Sequence, residues 1–462
     1  MNREEKERRE RLQRMLARDQ GAAPPDERLA QGARAAADRP DRDFSPPPGQ
    51  PAAPPAGDAG TDEPEDGGNT RRVDFTPRSR DRRGRPQSPI LRRRRRRRRM
   101  LLAGAVLALC LMLAWGSGAL GAAAAMAGDL ADSVLLSFEP GSYPASTGIS
   151  DPIQIQELAG GFVELGSTDV AVFGANGAKL RTIQPSYARP AIAVGNTRFA
   201  LYNRAGTELR IESRTGTLYT TRTDAGILLC AMSPNGTTAV VTEHNRYAAA
   251  VQVLDPGFSV IYQWYATQSD GTPVALGFAS DNRRFAAGCI SAVDGQVSSR
   301  IFLMDCGADD PVALYEADAG SLILHLYWLD SQHVLAVLSD YAVLLDASTG
   351  AETARYDYGG ASLVDVDTAG SGVALLLTGG GDASLILLDN SLAPLAQADA
   401  GAAESLCATR TALYLTAGSL VQCLDYNGDL QWEKTLDAPP LAILDASQPL
   451  VFTGTEVSVL TQ

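Results

Sequence analysis

The sequence predicts an all-β fold, a β-propeller of eight blades, preceded by one transmembrane α-helix and a disordered N-terminal tail. After residue 130, short β-rich runs alternate with Gly, Asp, Asn and Pro, and one strand–turn–strand pattern recurs. Repeats of roughly 40 residues with four short strands are typical of propellers, because radial stacking buries sheet faces that a single unit would expose. Before residue 130, an uncharged apolar run predicts the helix.

The recurring pattern is a strand, an Asp or small polar residue, a turn and a second strand, as in "AVLLDASTGAETARY" and "VQCLDYNGDLQWEK". We call the residue that opens each of these turns a turn position. Turn positions fall at 174, 213, 255, 305, 346, 389 and 425, at intervals between 36 and 50 residues. Seven such units and one composite unit predict eight blades, with seven blades as the alternative.

A second motif also repeats. "AMSPNGTTAVV" at 231–241 and "FASDNRRFAAG" at 278–288 both carry a Ser, a nearby Asp or Asn, a turn and an apolar strand. Ser233 and Ser280 are 47 residues apart, which agrees with the period of the first motif. The second motif, found in two copies, therefore also indicates an internal repeat with a turn before an apolar strand.

The last blade is expected to combine both ends of the repeat region. "PLAILDASQPLVFTGTEVSVLTQ" supplies three strands and no fourth. We expect "DSVLLSFE" at 132–139 to supply the missing strand. Pairing of these two segments would close the ring and leave no long open sheet edge.

The apolar run extends from Met100 to Gly128, 29 residues without Asp, Glu, Lys or Arg. A bilayer needs only about 20 helical residues, so the run predicts a transmembrane helix over 100–126. A buried helix of a globular core is one alternative. A cleaved signal peptide is another, although 99 residues precede the run and a signal peptide is only about 15–30 residues long in all.

A run of arginines adjoins the helix on its N-terminal side. Positive charge beside a spanning helix stays on the cytoplasmic side, so the propeller is expected outside the cell membrane. The predicted partners are the lipid bilayer and the anionic lipid head groups that such a run attracts. Nucleic acid is not an expected partner, because no aromatic residue interleaves the run. The predicted membrane-surface residues are Arg92, Arg93, Arg94, Arg95, Arg96, Arg97, Arg98 and Arg99.

Charge divides the chain in two. Residues 1–99 contain 26 basic and 17 acidic residues, a net +9, whereas 129–462 contain 15 and 37, a net −22. Residues 1–99 have few bulky apolar side chains and are expected to be a disordered basic cytoplasmic tail, with a short charged helix at the start. Residues 130–462 are expected to form the extracytoplasmic propeller.

Chemical motifs are sparse, and the sequence predicts no catalytic residue, metal ligand or cofactor site. His244, His325 and His333 lie in no metal-binding spacing, and His325 is expected in a core or channel strand. "DYNGDL" begins like a calcium loop, but the position that requires Glu is Leu436, so a turn that closes a hairpin is expected. "VDVDTAG" at 364–370 is expected to supply strand and turn residues only.

The six cysteines do not suggest a disulfide framework. Cys110 lies in the apolar run, and the others are scattered without a CxxC motif. Since most of them sit in apolar strand contexts, they are expected to be buried free thiols. These residues are Cys230, Cys289, Cys306, Cys407 and Cys423.

The turn motifs resemble those of WD40-like and quinoprotein-like propellers. Over roughly 130–462 the chain also resembles an uncharacterised bacterial family with one N-terminal membrane helix and a propeller, known only as a domain of unknown function. This resemblance implies a fold and a membrane topology but no catalytic residue. Quinone-dependent propeller enzymes usually carry a Trp in each blade and adjacent cysteines. Here only Trp264, Trp328 and Trp432 follow the apolar run, and no two cysteines are adjacent.

Two functions follow from these observations. The first is a non-enzymatic scaffold or receptor of the cell envelope, which presents a binding face to an envelope protein or ligand. The alternative is an extracytoplasmic enzyme, quinone-dependent or hydrolytic, with its site in the central channel. Acidic groups converging on the channel would favour the enzyme, and an exposed apolar surface patch would favour the scaffold.

Overall fold

The computed structural model describes residues 140–293, 295–370 and 372–461. All regular elements among them are β-strands, which form eight antiparallel sheets of four strands each. The first strands of neighbouring sheets contact one another, so they line a central channel. The all-β, eight-bladed propeller is thus confirmed, and the alternative of seven blades is wrong.

Each blade runs from its first strand at the channel to its fourth strand at the periphery. The chain begins with β1 (Ala145–Ser146), which belongs to blade 8. Blade 1 contains β2 (Gln154–Leu158), β3 (Gly161–Leu165), β4 (Val170–Gly174) and β5 (Lys179–Ile183), and blade 2 contains β6 (Pro190–Val194), β7 (Arg198–Asn203), β8 (Glu208–Ser213) and β9 (Thr217–Arg222). Blade 3 contains β10 (Ile227–Met232), β11 (Thr238–Thr242), β12 (Ala249–Leu254) and β13 (Val260–Ala266), and blade 4 contains β14 (Thr272–Phe278), β15 (Arg284–Val293), β16 (Gln296–Asp305) and β17 (Ala313–Glu316). Blade 5 contains β18 (Ile323–Trp328), β19 (His333–Leu338), β20 (Tyr341–Asp346) and β21 (Glu352–Asp357), and blade 6 contains β22 (Ser362–Ala369), β23 (Gly372–Thr378), β24 (Ala383–Leu388) and β25 (Pro394–Gly401). Blade 7 contains β26 (Ser405–Ala408), β27 (Leu413–Ala417), β28 (Leu420–Leu424) and β29 (Leu430–Thr435), and blade 8 contains β30 (Ala442–Leu444), β31 (Leu450–Thr453) and β32 (Glu456–Val459) together with β1.

The predicted membrane span at 100–126 and the predicted tail at 1–99, with its arginine run, lie outside the described residues. Within the described ranges, no helix is long and apolar enough to cross a membrane.

Burial explains the composition of the strands. The second and third strands of a blade face neighbouring blades on both sides, so β19 and β20 are almost entirely apolar and buried. The fourth strand is an edge strand at the surface, and β29 accordingly alternates exposed and half-buried residues. The core is therefore a ring of interfaces between blades.

Each of the two sequence motifs lies at a turn, as the sequence predicts. All seven turn positions are either the last residue of the third strand of a blade or the residue directly after it. At Asp346, carboxylate Oδ1 accepts the backbone amides of Ser348 at 3.0 Å and Thr349 at 2.8 Å, and Asp389 closes its turn in the same way. The Ser391 hydroxyl, with the backbone amides, holds the pKa of the Asp389 carboxyl below its usual range.

The second motif forms the turn between the first and second strands. Its two copies lie side by side in blades 3 and 4, where the Asn235 amide donates to Oδ1 of Asn282 at 3.0 Å. The repeat motif thus also joins neighbouring blades.

Blade 8 is composite, as predicted, but the predicted closing segment is wrong. The fourth strand of this blade is β1, which pairs Ala145 with Val457 and Ser146 with Glu456. Residues 132–139 lie outside the described residues. An edge strand at the periphery needs little apolar surface, so two small residues close the sheet where the apolar "DSVLLSFE" was expected.

Aromatic rings fill the interface where blade 8 meets blade 1. Phe162 stacks on Phe173 with ring centroids 4.7 Å apart, and meets Phe452 edge to face at 5.0 Å. All three rings are fully buried. Ring closure therefore depends on this aromatic cluster at least as much as on the short β1 ladder.

A buried carboxyl lies beside the same closure. Burial raises the pKa of Glu164 to about 7, while the Thr147 hydroxyl and the Lys179 charge lower it less. The Lys179 ammonium donates to the Thr147 carbonyl at 2.7 Å. The protonated acid is therefore the form that the fold favours.

Stability should consequently fall as pH rises through the range from about 4.5 to about 7, because only the unfolded chain then ionises Glu164 freely. Glu164→Gln should remove this dependence and stabilise the protein by about 1–2 kcal/mol at pH 8, after allowance for solvent screening. Urea denaturation of both proteins at pH 5 and pH 8 measures the difference. If the free energy of unfolding changes with pH equally in the two proteins, Glu164 is not the group responsible.

Candidate functional site: the cleft between blades 2 and 3

A cleft of about 530 Å³ opens between blades 2 and 3. One wall is β9 with the connection that follows it, and the other is the face of blade 3 that looks towards blade 2. Apolar and polar side chains both line the cleft. The lining residues are Leu209, Tyr219, Thr221, Arg222, Thr223, Asp224, Ala225, Val240, Thr242, Glu243, His244, Asn245, Ala250, Gln252, Leu254, Phe258, Val260, Gln263 and Tyr265.

Side-chain size at one repeat position helps to explain the cleft. Blade 5 carries Tyr341 five residues before its turn position, and this fully buried ring packs towards blade 4, where its hydroxyl meets that of Tyr315 at 3.3 Å. Blade 4 carries Arg300 at the same repeat position, where it reaches the Ser269 carbonyl. Blade 3 carries Ala250, whose methyl group leaves this space open.

The interface between blades 1 and 2 is filled differently, by a buried ion cluster. Glu212 is fully buried and lies 2.8 Å from Arg181 of blade 1 and 2.7 Å from Arg210 of its own blade. The Thr217 hydroxyl also donates to Glu212 at 2.8 Å. Charged and hydroxyl groups thus fill the interface between blades 1 and 2, whereas the interface between blades 2 and 3 contains the open cleft.

A strained aromatic residue forms one end of the cleft. Phe258 of blade 3 stacks on Tyr219 of blade 2, with ring centroids 4.6 Å apart and an interplanar angle of 5°. Its φ is +69°, a conformation that costs a bulky residue free energy. The equivalent turn residue is Gly428 in blade 7, with φ +84°, and Leu392 in blade 6, with φ +60°. The cleft therefore retains an aromatic ring where the backbone favours glycine.

Three aromatic side chains lie together at the mouth. The His244 ring centroid lies 5.1 Å from that of Tyr247 and 5.3 Å from that of Tyr265. His244 Nδ1 accepts the amides of Arg246 at 3.1 Å and Tyr247 at 3.2 Å. A neutral His244 consequently carries its proton on Nε2, where it can donate to a ligand.

Acidic groups outnumber basic ones at the mouth. Asp224 and Glu243 are both exposed. They lie on loops that share one face of the propeller, because each follows a strand running in the same direction. Arg222, the one Lys or Arg among the described lining residues, lies 3.8 Å from Glu208. The mouth is thus suited to cations rather than anions.

The channel contains acidic residues that the sequence singled out only as strand and turn residues. Asp365 and Asp367 both lie in β22, so the strand prediction is confirmed. Each accepts a backbone amide of the neighbouring first strand β26 at 2.8 Å, from Leu406 and Ala408 respectively. Their other carboxylate oxygens accept amides of β22 itself. These carboxylates therefore join blade 6 to blade 7.

Burial also changes the titration of the channel groups. Desolvation raises the pKa of Asp365 and lowers the pKa of His325, which lies on β18 as predicted. Desolvation, with the nearby charge of Asp445, raises the pKa of Glu157. Asp365 and Asp367 thus have amide partners on every carboxylate oxygen, and Glu157 interacts with charges of both signs, Asp445 and Arg410.

The other residues that the sequence singled out have structural roles. Asp425 closes the β28–β29 hairpin by accepting the amides of Asn427 and Asp429, so the predicted turn is confirmed. His333 begins β19 and lies 2.9 Å from Asp330. Among the described residues, no three His, Cys, Asp or Glu side chains converge as a metal site.

The predicted free thiols are confirmed, with Cys306 only half-buried and the other four buried: Cys230, Cys289, Cys407 and Cys423.

The sequence did not indicate the residues that build the cleft. Of its lining, only His244 was singled out, and not as a binding residue. Tyr219 and Phe258 come from different blades, and the importance of Ala250 lies in being small. A comparison of side-chain size at one repeat position is the signal that could have found it.

Residues 142–457 match the model of a family of unknown function, DUF5711. The chain belongs to this family. The match covers the described propeller almost completely and leaves the N-terminal 141 residues outside it. Membership in DUF5711 therefore concerns the propeller alone. A comparison with curated protein sequences finds no match.

Several solved structures are similar to this DUF5711 propeller, and the two with TM-scores of 0.50 or more agree with its fold. The computationally designed protein Ika8 has a TM-score of 0.51 at 13% identity, over 69% of this chain and 100% of that chain. Sqt1 from Chaetomium thermophilum, solved bound to the N-terminus of the ribosomal protein L10, has a TM-score of 0.50 at 12% identity, over 70% and 100%. BamB from Moraxella catarrhalis has a TM-score of 0.45 at 14% identity, over 66% and 95%.

Proposed function

We propose that this chain is a membrane-anchored, non-enzymatic binding protein of the cell envelope, which presents its propeller outside the membrane. The observation that carries the binding role is the cleft between blades 2 and 3. It is open and lined by both apolar and polar groups, and its Val260 and Tyr265 side chains are 52% and 40% exposed. Exposed apolar side chains beside polar groups are characteristic of interaction sites.

The proposed membrane topology rests on the sequence. Residues 100–126 carry no charge, and Arg92–Arg99 precede them directly. Such an arrangement favours a spanning helix with the arginines in the cytoplasm, close to anionic lipid head groups. The acidic propeller would then lie on the opposite side, away from the negatively charged inner leaflet.

The fold is compatible with protein binding. Sqt1, which has the same architecture, was solved bound to the N-terminus of another protein. In this chain, the channel carboxylates Asp365 and Asp367 hold neighbouring blades together through their hydrogen bonds. The cleft, with a volume of about 530 Å³, offers a partner both apolar and polar side chains.

Fractionation of cells that express the tagged full chain tests the anchor. We expect the protein to remain with the membranes after an alkaline carbonate wash, and deletion of 100–126 to release it. External protease should digest the propeller of intact spheroplasts and leave an N-terminal tag protected. A full chain that the wash removes, or a protected propeller, would refute the proposed topology.

In-cell cross-linking of the full chain, followed by mass spectrometry, tests the binding role. We expect a recurrent envelope protein cross-linked to residues around the cleft. Cross-links only to unrelated abundant proteins, at adequate yield, would contradict the role.

A further inference from the structure

We infer that the cleft between blades 2 and 3 binds an extended peptide segment of a partner protein, with an aromatic or branched apolar side chain inserted between the blades and a Lys or Arg close to it at the mouth. This inference rests on the proposed binding function and specifies its site and the chemistry of its partner.

The size of the cleft and its apolar groups suit one large side chain. Its volume of about 530 Å³ lies within the range of ligand pockets, roughly 300–1,000 Å³. The stacked pair Tyr219 and Phe258 offers an aromatic surface at one end, and Ala250 leaves the depth open. An inserted ring or branched chain would bury apolar surface that is now exposed on Val260 and Tyr265.

Charge complementarity selects a basic partner. Asp224 and Glu243 stand at the mouth, while Arg222 is near Glu208. The sequence from 129 to 462 has a net charge of −22, so the field around the mouth also favours cations. An anionic ligand would meet repulsion on both counts.

Polar groups along both walls suit a peptide backbone. Thr221 of β9 and Gln252 of blade 3 line the cleft from its two sides. Hydroxyl and amide side chains both donate and accept hydrogen bonds, as an extended backbone requires. β13 is the edge strand of its sheet, so its outer backbone groups are also open to an added strand.

The test is a displayed library of random 12-residue peptides, selected on the purified full chain in detergent. We expect enriched peptides to share an aromatic or branched residue with a Lys or Arg within three positions. Ala250→Tyr places in the cleft the side chain that blade 5 carries at this repeat position, and should weaken these peptides at least about tenfold. Glu243→Lys lies on an exposed loop, should not disturb folding, and should weaken them about fivefold at low salt.

Ser384→Tyr is the matched control, because Ser384 occupies the same repeat position in blade 6. It should leave peptide affinity unchanged, and circular dichroism should show all variants folded. If the peptides bind both Ala250→Tyr and Glu243→Lys with the affinity of the wild type, the cleft is not the peptide site, although the binding function stands. Failure to enrich peptides overturns the inferred partner chemistry; if cross-linking in cells still finds a recurrent partner, the proposed function stands.

Discussion

Phe162→Ala should lower the free energy of unfolding by about 3–5 kcal/mol, the usual cost of removing a buried ring. Phe162 is fully buried and contacts rings of both blades that meet at the ring closure, Phe173 of blade 1 and Phe452 of blade 8. Its loss leaves a cavity in the apolar interface between blades 8 and 1, next to the short pairing of β1 with β32 that completes blade 8. Urea denaturation followed by tryptophan fluorescence measures the change.

Leu395→Ala is the control for this substitution. Leu395 is 55% exposed on the edge strand β25, so its truncation should change the free energy of unfolding by less than about 0.5 kcal/mol. Equal effects of the two substitutions would show that the aromatic cluster does not hold the closure. A smaller urea dependence in Phe162→Ala alone would indicate that blade 8 separates before the rest of the ring unfolds.

Glu212→Ala should destabilise the protein by about 3 kcal/mol, because it leaves two arginines close together without their shared carboxylate. Glu212 is fully buried, while the side chains of Arg181 and Arg210 are only 22% and 23% exposed. The loss falls on the interface between blades 1 and 2. Chemical denaturation at low and at high salt measures it, and the loss should persist at high salt because the cluster is shielded from solvent.

Glu316→Ala provides the comparison for Glu212. Glu316 pairs with Arg300 at 2.9 Å, but its side chain is 62% exposed. An ion pair of this kind is worth about 0–1 kcal/mol. If Glu212→Ala costs no more than Glu316→Ala, the buried cluster contributes no more than a surface pair.

The repeat could be predicted from the sequence because its turns are determined locally. An Asp that accepts amides two to four residues ahead, as Asp346 and Asp425 do, depends on neighbours in the chain and leaves a visible pattern. Counting these turns, and adding a composite blade, led to eight blades. The closing strand was misplaced because β1 needs only two small residues, and apolarity is a poor guide to an edge strand.

The cleft could not be predicted because it arises between blades. Ala250 is unremarkable in sequence, and only the comparison with Tyr341 and Arg300 shows what is missing beside it. Asp365 and Asp367 were correctly predicted to be strand residues, yet their bonds to β26 depend on the spacing of two blades. The membrane helix at 100–126 stays a prediction.

The direction of β1 determines how the ring responds to tension. β1 and β32 are antiparallel, so the chain before Ala145 and the chain after Val459 leave blade 8 at the same end. A force that pulls these two segments apart loads the β1–β32 hydrogen bonds one after another, which is the geometry of unzipping rather than shear. The next contacts in line are the Thr147 amide, which donates to the Thr455 carbonyl at 2.8 Å, and the Lys179 bond to Thr147. Tension between the two ends would therefore detach the outer strand of blade 8 first, while the other seven blades keep their own four strands.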